Sequence, residues 1–373
     1  MRPHRAVLNS RLCLEVMSFH HGRIAAIASV VGSDRKTVLT NSSLYGTDPK
    51  NLAKLKGLIG LDQRYVATQS TTAGDLCCRA AEQLLAANVS RPEEIEAVIM
   101  VTQTPDYIMP ATAAVIHGKL GLPSACAAFD VNLGSSGYVY GLWLAFQMVE
   151  TGSAKTVLLL AGDTLDRLAS PKDKATAALF GDAGSATIIE RSERAGHSVF
   201  RVGTDGNGYP HLMVPAGGSR QPRTDATRTE QKDDQGNQRS LEHLYMAGDA
   251  IFAFSTIKAP AEVKRVLAAA NEEIGNVDYL LFHQANKYII STIMRSLQLP
   301  LSKTPYEVIE KYGNLSAASI PVSVCEVLRD EIMRERKRVI LCGFGPGLSW
   351  ATCLLDLENV FCTEVRIFEA KKA

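Results

Sequence analysis

The chain alternates short runs of consecutive apolar residues with longer stretches whose apolar residues recur every three or four positions. Residues 95–104 (IEAVIMVTQT) and 154–163 (AKTVLLLAGD) are apolar runs of strand length. Such continuous runs are typical of strands that are buried on both faces. Residues 74–87 (GDLCCRAAEQLLAA) have the spacing of a helix with one apolar face. We therefore predict a layered α/β fold, in which helices cover buried strands.

The two halves of the chain repeat this pattern at a constant spacing. Residues 95–104 align with 277–286 (VDYLLFHQAN), and 154–163 align with 336–345 (RKRVILCGFG), with 182 positions between the members of each pair. A helix that carries LLAAN or LAAAN precedes the first strand of each pair. Similarity between apolar strands also arises by chance, but the shared spacing favours an internal duplication. We therefore expect two halves that are related by a pseudo-twofold axis.

The same spacing brings three distant polar residues towards one another. Ser135 follows a strand of the first half, and His283 ends the matching strand of the second half. Asn314 precedes the stretch around residue 317, which corresponds to the helix that Ser135 begins. Because related elements meet near a twofold axis, we expect the three side chains to share one pocket.

Composition places the chain among globular proteins with a sizeable core. It has 373 residues, of which 46% are hydrophobic and 21% are charged, and its net charge is +1. This charge gives no sign of a nucleic-acid or anionic-membrane partner. No apolar run has the length of a membrane span, and the N-terminus lacks the pattern of a signal peptide. We therefore expect neither membrane insertion nor nucleic-acid binding.

The eight cysteines include no CxxC pair and no metal-ligand spacing. Most of them lie in apolar runs, where cysteine packs as a small hydrophobic side chain. We interpret them as structural thiols of a protein in a reducing cytoplasm, and we expect no metal site.

The expected organisation is a leader followed by the two halves. Residues 1–17 are interpreted as a disordered leader, and 18–192 as an N-terminal half that contains Ser135. Residues 193–373 are interpreted as a C-terminal half that carries the histidine and asparagine loops. Within it, the polar stretch of residues 217–240 is expected to be a surface excursion.

The segment around Ser135 (AFDVNLGSSGYVYGL, residues 128–142) predicts a short strand, a turn of small residues and a helix, with Gly152 as a C-cap. A nucleophile at the start of a helix gains from the dipole and from free N–H groups. A serine hydroxyl is too weak an acid to be ionised by a dipole alone, so it needs an adjacent base. From residue type alone, a helix N-cap is the favoured interpretation of Ser135.

His283 and Asn314 each have an ordinary structural explanation. A lone histidine at the end of an apolar strand is usually a satisfied core residue. Asn314 lies in a Gly-Asn turn before a helix, where a capping or turn role is common. Together, however, the two side chains can donate two hydrogen bonds to a carbonyl oxygen and stabilise an enolate.

A glycine-rich turn (GFGPGLSW, residues 343–350) follows the last buried strand of the second half. It lacks the Lys-Ser/Thr pair of a phosphate-binding P-loop. Close approach of its backbone to a substrate is the better interpretation. Gly345, Pro346 and Gly347 are therefore candidates for a substrate or oxyanion loop.

Six segments together resemble the β-ketoacyl-ACP synthase III family of the thiolase superfamily. They are TPDYIMPATA, FDVNLGSSGYVYGL, LFGDAGSATII, HQAN, YGNLSAASIP and GFGPGLSWA, in the family's order, and they span nearly the whole chain after Met17. The resemblance implies a five-layered αβαβα fold made by duplication, and a Cys-His-Asn triad. HQAN also distinguishes the chain from plant-type polyketide synthases, although GFGPG resembles theirs.

The resemblance also implies an activity. The family cysteine accepts an acyl group from a thioester, malonyl-ACP is decarboxylated, and its carbanion attacks the acyl group. Carried over, His283 and Asn314 match the pair that serves decarboxylation and condensation. Acyl-CoA or acyl-ACP and malonyl-ACP would be substrates, with no permanently bound cofactor. Acyl carrier protein would be a partner, and the chain would form a homodimer.

Two departures from the family pattern affect the chemistry. Ser135 stands at the position of the cysteine, which changes the acyl-acceptor step. Pro346, which has no N–H, stands where the family has its second donor to the oxyanion. Either Gly345 or Gly347 would have to supply that donor, or the carbonyl would rely on the Ser135 amide.

Two further departures affect the donor. Lys54 and Leu58 stand near the positions of the Trp and Arg that grip the coenzyme A adenine in the family. Tyr288 replaces the arginine associated with carrier docking, and Lys287 beside it is a weak candidate for a carrier or coenzyme A contact. We interpret the chain as a specialised member that takes its acyl group from a carrier protein or another donor.

Three explanations of Ser135 remain open at this point. In the first, a serine was introduced in place of the cysteine of a ketoacyl synthase III, so that acyl chemistry stalls. In the second, the serine is natural, and the protein is a starter-unit synthase or acyltransferase of a secondary or polysaccharide pathway. In the third, the chain is a silent partner subunit, against which the retention of His283 and Asn314 argues. The codon for residue 135 in the native gene separates the first two.

Overall fold

The computed structural model describes residues 16–37, 40, 42–45, 53, 56–57 and 59–370. Of the predicted leader, residues 1–15 lie outside the described residues, and Met17 begins the first strand. The positions of Lys54 and Leu58 also lie outside the described residues.

The described strands and helices alternate along most of the chain, as the apolar pattern predicts. The strands are β1 (Met17–Phe19), β2 (Gly22–Val31), β3 (Asp34–Thr37), β4 (Gln63–Val66), β5 (Ala97–Val101), β6 (Ala127–Val131), β7 (Thr156–Asp163), β8 (Ala183–Arg191), β9 (Ser198–Thr204), β10 (Leu212–Met213), β11 (Gln231–Lys232), β12 (Gln238–Arg239), β13 (Tyr245–Met246), β14 (Tyr279–Phe282), β15 (Lys337–Gly345), β16 (Ser349–Leu357), β17 (Phe361–Cys362) and β18 (Arg366–Ile367). The α-helices are α1 (Ser42–Tyr45), α2 (Ala73–Ala86), α3 (Thr112–Lys119), α4 (Gly137–Thr151), α5 (Asp225–Arg228), α6 (Gly248–Ala270), α7 (Lys287–Ser296), α8 (Glu307–Tyr312), α9 (Ser319–Ser323) and α10 (Arg329–Ile332).

Two sheets share one strand order, which confirms the predicted duplication. The first sheet has seven strands in the order β17-β2-β8-β7-β5-β6, with β18 also paired to β2. The second has five strands in the order β1-β9-β16-β15-β14. In both, a parallel pair (β5 with β7, β14 with β15) adjoins an antiparallel strand (β8 or β16). The order β2-β8-β7-β5 is thus repeated as β9-β16-β15-β14.

Three apolar clusters separate five layers. The central cluster lies between the two sheets, where α4 and the α9–α10 segment contribute Phe146 and Leu328. A second cluster packs α2, through Leu76, on the outer face of the first sheet. A third packs α6 and α7, through Val263 and Ile290, on the outer face of the second sheet. The layer order is αβαβα, as the family resemblance implies.

The two ends of the described chain exchange between the sheets. β1 pairs with β9 in the second sheet, whereas β17 and β18 pair with β2 in the first. The division of the chain into residues 18–192 and 193–373 therefore stays a prediction, since short strands from each end cross it.

The polar stretch 217–240 lies on the surface and is attached to the first half by hydrogen bonds. Ser170 Oγ donates to the carbonyl oxygen of Gln238 (2.7 Å), and the Lys174 amide donates to Asn237 Oδ1 (3.0 Å). Leu244, a few residues after this stretch, is buried.

β15 lies directly against the turn that carries Ser135. A Cβ added at Gly343 would lie 2.8 Å from the carbonyl oxygen of Ser135 and 2.8 Å from Cα of Ser136. A Cβ at Gly345 would lie 3.0 Å from Cβ of Ser135. The glycines of β15 therefore let the second half approach the predicted nucleophile at backbone distance.

We predict that Gly343→Ala displaces this turn. The added methyl group meets backbone atoms, so we expect a loss of about 1–3 kcal/mol in the free energy of unfolding and a larger loss of activity. Gly118→Ala is the matched control, since Gly118 lies in α3 with no atom within 4 Å of the added Cβ. Urea denaturation and turnover of both variants check this. Equal behaviour of the two variants would contradict the close approach.

Candidate active site

A cavity of about 480 Å³ lies where the loops after β6 and β14 meet. Its lining includes Ser135 from the first half and His283 and Asn314 from the second. The structure thus brings together the three residues that the 182-position spacing predicted to share a pocket.

Ser135 lies in the turn between β6 and α4 and is not a helix N-cap, so that interpretation is wrong. The N-cap of α4 is Ser136, whose side chain makes no capping bond and instead hydrogen-bonds Ser349 Oγ (2.7 Å). Ser135 is partly exposed to the cavity, and within the described part of the chain its backbone N–H forms no hydrogen bond. The predicted C-cap is confirmed, since Gly152 ends α4 with φ 74°.

His283 is fixed from two sides. Its backbone N–H donates to the carbonyl oxygen of Cys342 (2.9 Å), and its ring contacts the Phe344 ring edge-on. Ring atom Nδ1 lies 3.0 Å from Ser319 Oγ. That hydroxyl donates its single hydrogen to the carbonyl oxygen of Ser316 (2.7 Å). Ser319 therefore accepts from Nδ1–H, and Nε2 is left as the ring's hydrogen-bond acceptor.

Burial keeps this imidazole uncharged. Desolvation lowers the pKa of His283 from 6.5 to about 3, and a hydrogen bond to the Ser316 backbone opposes this only in part. The ring is thus neutral across the physiological pH range and can act as a proton acceptor at Nε2.

Asn314 combines a turn role with a place in the cavity. Its Oδ1 accepts from the Ser316 amide (3.0 Å), and the Gly313 before it has φ 81°, as expected for a Gly-Asn turn. Its Nδ2 donates to the carbonyl oxygen of Ala285 over a long 3.5 Å. This weak bond leaves the amide hydrogens available to a ligand in the cavity.

The glycine-rich turn contributes two of its three candidates. Gly345 and Pro346 line the cavity, whereas Gly347 is not among the lining residues. Of the two that do, proline offers no N–H.

Most of the remaining cavity wall is apolar. It includes Leu165, Leu179, Phe180, Leu212, Leu244 and Met246. Such a wall suits a hydrocarbon chain, because it removes apolar surface from water. Leu244 and Met246 lie a few residues after the surface excursion, so the chain that leaves the excursion forms part of the cavity wall.

Aromatic rings stand at the open side of the cavity. Tyr288 is 47% exposed and stacks on Phe252, with ring centroids 5.2 Å apart. The neighbouring Lys287 holds its ammonium 3.6 Å from Glu310 and over the ring of Tyr306. Lys287 is therefore engaged within the chain, which weakens the case for it as a carrier or coenzyme A contact.

Gln103 and Asp163 belong to the site but were not identified from sequence. Gln103 lines the cavity, and its backbone N–H donates to Asp163 Oδ1 (2.7 Å). Asp163 is fully buried, and desolvation raises its pKa although several hydrogen bonds oppose this. The available signal was position, since each residue lies at or just beyond the end of a buried strand.

Within the described residues, no group of three or more His, Cys, Asp or Glu side chains is arranged to hold a metal ion. In that same part of the chain, no helix combines the length and the apolar character that crossing a bilayer requires.

Comparison with known proteins relates both halves of the site to one family. Residues 129–208 match the model of 3-oxoacyl-[acyl-carrier-protein] synthase III, and residues 267–357 match the model of its C-terminal part. Ser135 lies in the first matched segment, and His283 and Asn314 lie in the second.

Individual proteins agree with this match. A β-ketoacyl-[acyl-carrier-protein] synthase III of Clostridioides difficile is 36% identical over 296 residues, which cover 79% of this chain and 87% of that protein. The crystal structure of a 3-oxoacyl-(acyl-carrier protein) synthase from Burkholderia xenovorans has a TM-score of 0.88 at 36% identity, and covers 95% of this chain and 99% of that chain. A synthase III structure from Pseudomonas aeruginosa has a TM-score of 0.76 at 28% identity, over 91% of this chain and 98% of its own.

Enzymes of this family are condensing acyltransferases that need no permanently bound cofactor and use acyl thioesters and acyl carrier protein. The duplicated fold, the shared cavity and the similarity over most of both chains lead to one conclusion. The chain belongs to the 3-oxoacyl-[acyl-carrier-protein] synthase III family.

Proposed function

We propose that this chain catalyses the decarboxylative condensation of an acyl thioester with malonyl-ACP, with Ser135 as acyl acceptor. The observation that carries the proposal is the common cavity of Ser135, His283 and Asn314 beneath an apolar wall. In this proposal Ser135 is the nucleophile, His283 is the neutral base and Asn314 is the amide donor to one reacting group.

In the first step, Ser135 Oγ attacks the carbonyl carbon of the thioester. His283 Nε2 takes the hydroxyl proton, and the carbon–sulfur bond breaks. The proton then passes from His283 to the departing thiolate sulfur, so the histidine ends neutral. The acyl group is held as an ester on Ser135, and its chain occupies the apolar part of the cavity.

In the second step, malonyl-ACP loses CO₂ and its enolate carbon attacks the ester carbonyl carbon. A carbon–carbon bond forms, the bond to Ser135 Oγ breaks, and the alkoxide takes a proton from solvent. Asn314 Nδ2 can donate to the enolate oxygen, because its present bond to Ala285 is long (3.5 Å). His283 donates to the same oxygen once its hydrogen lies on Nε2, which requires the Ser319 hydroxyl to turn towards Nδ1.

A carrier protein as donor and acceptor partner is part of this proposal. The helices α6 and α7 carry cavity residues such as Phe252 and Ile289, and they also expose Ile257, Lys264 and Arg295. An exposed apolar side chain and two cations on these helices suit an acidic carrier protein whose acyl arm enters at this side.

A homodimer is also part of the proposal. β6 pairs only with β5, so its other edge is unpaired within the described chain. Beside it, Ile108 is 103% exposed and Met109 is 85% exposed, while Phe129 of β6 is 37% exposed. An open strand edge with exposed apolar neighbours is avoided in a free monomer. We propose that a second copy covers it, edge to edge.

We further propose that the protein acts in the cytoplasm. All seven described cysteines are free thiols and buried, as is usual for proteins of reducing compartments.

Whether Ser135 was introduced or is natural affects the rate of the first step. It does not change the roles that we assign to the other residues of the site. The silent-subunit explanation is disfavoured by the placing of His283 and Asn314 in one apolar cavity with Ser135. A subunit without chemistry has no need of that arrangement.

We predict that the Ser135 protein, incubated with acyl-CoA or acyl-ACP without malonyl-ACP, gains the mass of one acyl group on the Ser135 peptide. Because this adduct is an ester, it should resist neutral hydroxylamine. Ser135→Cys should acylate at least about 100-fold faster, form a hydroxylamine-sensitive thioester, and yield condensation product when malonyl-ACP is added. Ser135→Ala is the control. An adduct on Ser135→Cys and none on the Ser135 protein would exclude serine as acyl acceptor.

We predict that His283 weakens the fold in acid. Its pKa of about 3 in the folded protein lies below the unfolded value of 6.5, so between these values only the unfolded chain is protonated. The free energy of unfolding therefore falls as pH falls, by about 1.4 kcal/mol per pH unit. Urea denaturation at several pH values between 6 and 4 gives the free energy of unfolding as a function of pH. The slope of this free energy against pH should be smaller by that amount in His283→Gln.

Asp182 gives the free energy of unfolding the opposite dependence on pH, because burial raises the pKa of its carboxyl to about 7. Its stabilising effect is therefore full at low pH and is lost as pH rises towards 7. This contribution is common to both proteins and cancels in the comparison. An unchanged slope in His283→Gln would show that the histidine is not held neutral.

We predict that the double variant Ile108→Asp/Met109→Asp is monomeric. Burying two carboxylates in an apolar interface raises the dimer dissociation constant at least about 100-fold, or about 2.7 kcal/mol. Ile367→Asp, on the far strand β18, is the matched control and should stay dimeric. Analytical ultracentrifugation measures both. A parent protein that is monomeric at micromolar concentration would refute the proposed interface.

A further inference from the structure

Acylation of Ser135 places negative charge on one oxygen, and the cavity must hold it. This inference rests on the proposed function, in which Ser135 Oγ bonds to the thioester carbon. The electron pair of the carbonyl double bond then moves onto its oxygen, and it returns when the carbon–sulfur bond breaks. Enzymes stabilise such an oxyanion with two or more donors placed 2.7–3.1 Å from it.

The backbone around Ser135 supplies one such donor. The Ser135 amide forms no hydrogen bond within the described residues, so it is free to bind the oxyanion. The neighbouring wall is the loop of Gly345 and Pro346, which packs within van der Waals distance of Ser135. Pro346 has no N–H. The cavity lining also holds polar side chains that could supply a second donor.

Several polar side chains of the cavity have their hydrogens engaged elsewhere. Ser255 donates to the carbonyl oxygen of Ile251 (2.7 Å), and Ser316 hydrogen-bonds the buried carboxyl of Asp163. His283 carries its hydrogen on Nδ1, away from the acceptor atom Nε2.

Two lining amides lie elsewhere around the cavity. Asn286 caps α7 beside the exposed Tyr288, on the open side. Asn314 is placed among the residues that precede α9, and its Nδ2 is bonded to Ala285, if weakly. We assign Asn314 to the enolate oxygen of the second step, so another side chain is considered for the oxyanion at Ser135.

Gln103 lies against that turn. A Cβ added at Gly134, the residue before Ser135, would lie 3.2 Å from Cδ of Gln103 and would collide with its Oε1. The backbone of Gln103 is held by Asp163 through a 2.7 Å hydrogen bond. Its side-chain amide makes no hydrogen bond to the described residues, so both hydrogens on Nε2 are uncommitted.

We propose that Gln103 is a catalytic residue whose Nε2 donates to the oxyanion formed at Ser135. Together with the Ser135 amide it completes the pair of donors that Pro346 cannot provide. Glycine at position 134 leaves the space in which the side-chain amide of Gln103 lies against the turn of Ser135.

The test is a double-mutant cycle between residues 103 and 346. Gln103→Leu and Gln103→Glu both lack the side-chain amide N–H of glutamine. Each should slow acylation about 100- to 1000-fold, as removal of one oxyanion donor does. The KM for the thioester should change less than about threefold. Pro346→Ala introduces a backbone N–H and should increase the acylation rate of Gln103→Leu at least about tenfold, and the single variant Pro346→Ala completes the cycle. Single-turnover intact-mass measurements give the rates, and thermal unfolding confirms the fold of each variant.

Each step is measured in the parent chain and in Ser135→Cys. Acylation of the cysteine variant alone rejects serine as acceptor, yet still reports the effect of Gln103. An unchanged rate in Gln103→Leu overturns the inference. The inference is also overturned if Gln103→Leu changes only the KM. It is overturned as well if Gln103→Leu slows acylation equally in the Pro346 and the Pro346→Ala proteins. If neither parent is acylated by any donor, the proposed function and this inference both fall.

Discussion

The buried carboxylate of Asp163 joins the two halves of the chain directly beneath the site. It accepts hydrogen bonds from the Gln103 backbone N–H (2.7 Å) and Thr102 Oγ1 (3.1 Å) of one half. From the other half it accepts a hydrogen bond from the Ala317 backbone N–H (3.4 Å). A buried carboxylate is costly unless it is hydrogen-bonded. This requirement fixes the loop of Gln103 relative to the loop of Asn314, and the shape of the cavity depends on that relation.

The duplication explains why a second contact of the same kind occurs nearby. Residues 163 and 345 are separated by the repeat spacing, and so are residues 135 and 317. In one contact, Asp163 at the end of β7 meets the start of the central helical segment of the second half, at Ala317. In the other, Gly345 at the end of β15 meets Ser135, just before α4. In the first contact, the Asp163 carboxylate accepts hydrogen bonds that join the two halves. In the second, Gly345 has no side chain, which leaves space for a substrate.

Sequence predicted the architecture because burial and spacing are local properties. The buried runs became β5, β7, β14 and β15, and the spacing of 182 positions located three loops at one cavity. The helix-capping role was harder to assign from sequence, because the N-cap of α4 is Ser136, one residue beyond Ser135. A shift of one residue separates a capping hydroxyl from one that faces a cavity.

Long-range pairing was outside the reach of the sequence pattern. The strands at 17–19 and 361–367 are too short to be recognised by periodicity, and each joins the sheet of the opposite half. Gln103 was missed for a related reason. Its importance comes from the missing N–H of Pro346 and from the absent side chain of Gly134, both distant in the chain.

The surroundings of residue 135 do little to activate a hydroxyl group. Apolar packing keeps His283 neutral with a pKa of about 3, and each unit by which a base is weakened costs about 1.4 kcal/mol in proton transfer. A cysteine thiol, with a pKa of about 8.5, loses its proton far more readily than a serine hydroxyl, and a helix start favours its thiolate further. The same dry pocket favours decarboxylation, which needs no strong base and replaces a charged carboxylate with neutral CO₂. We infer that the site is matched to sulfur at this position, so that with Ser135 the slow step is acylation and not carbon–carbon bond formation.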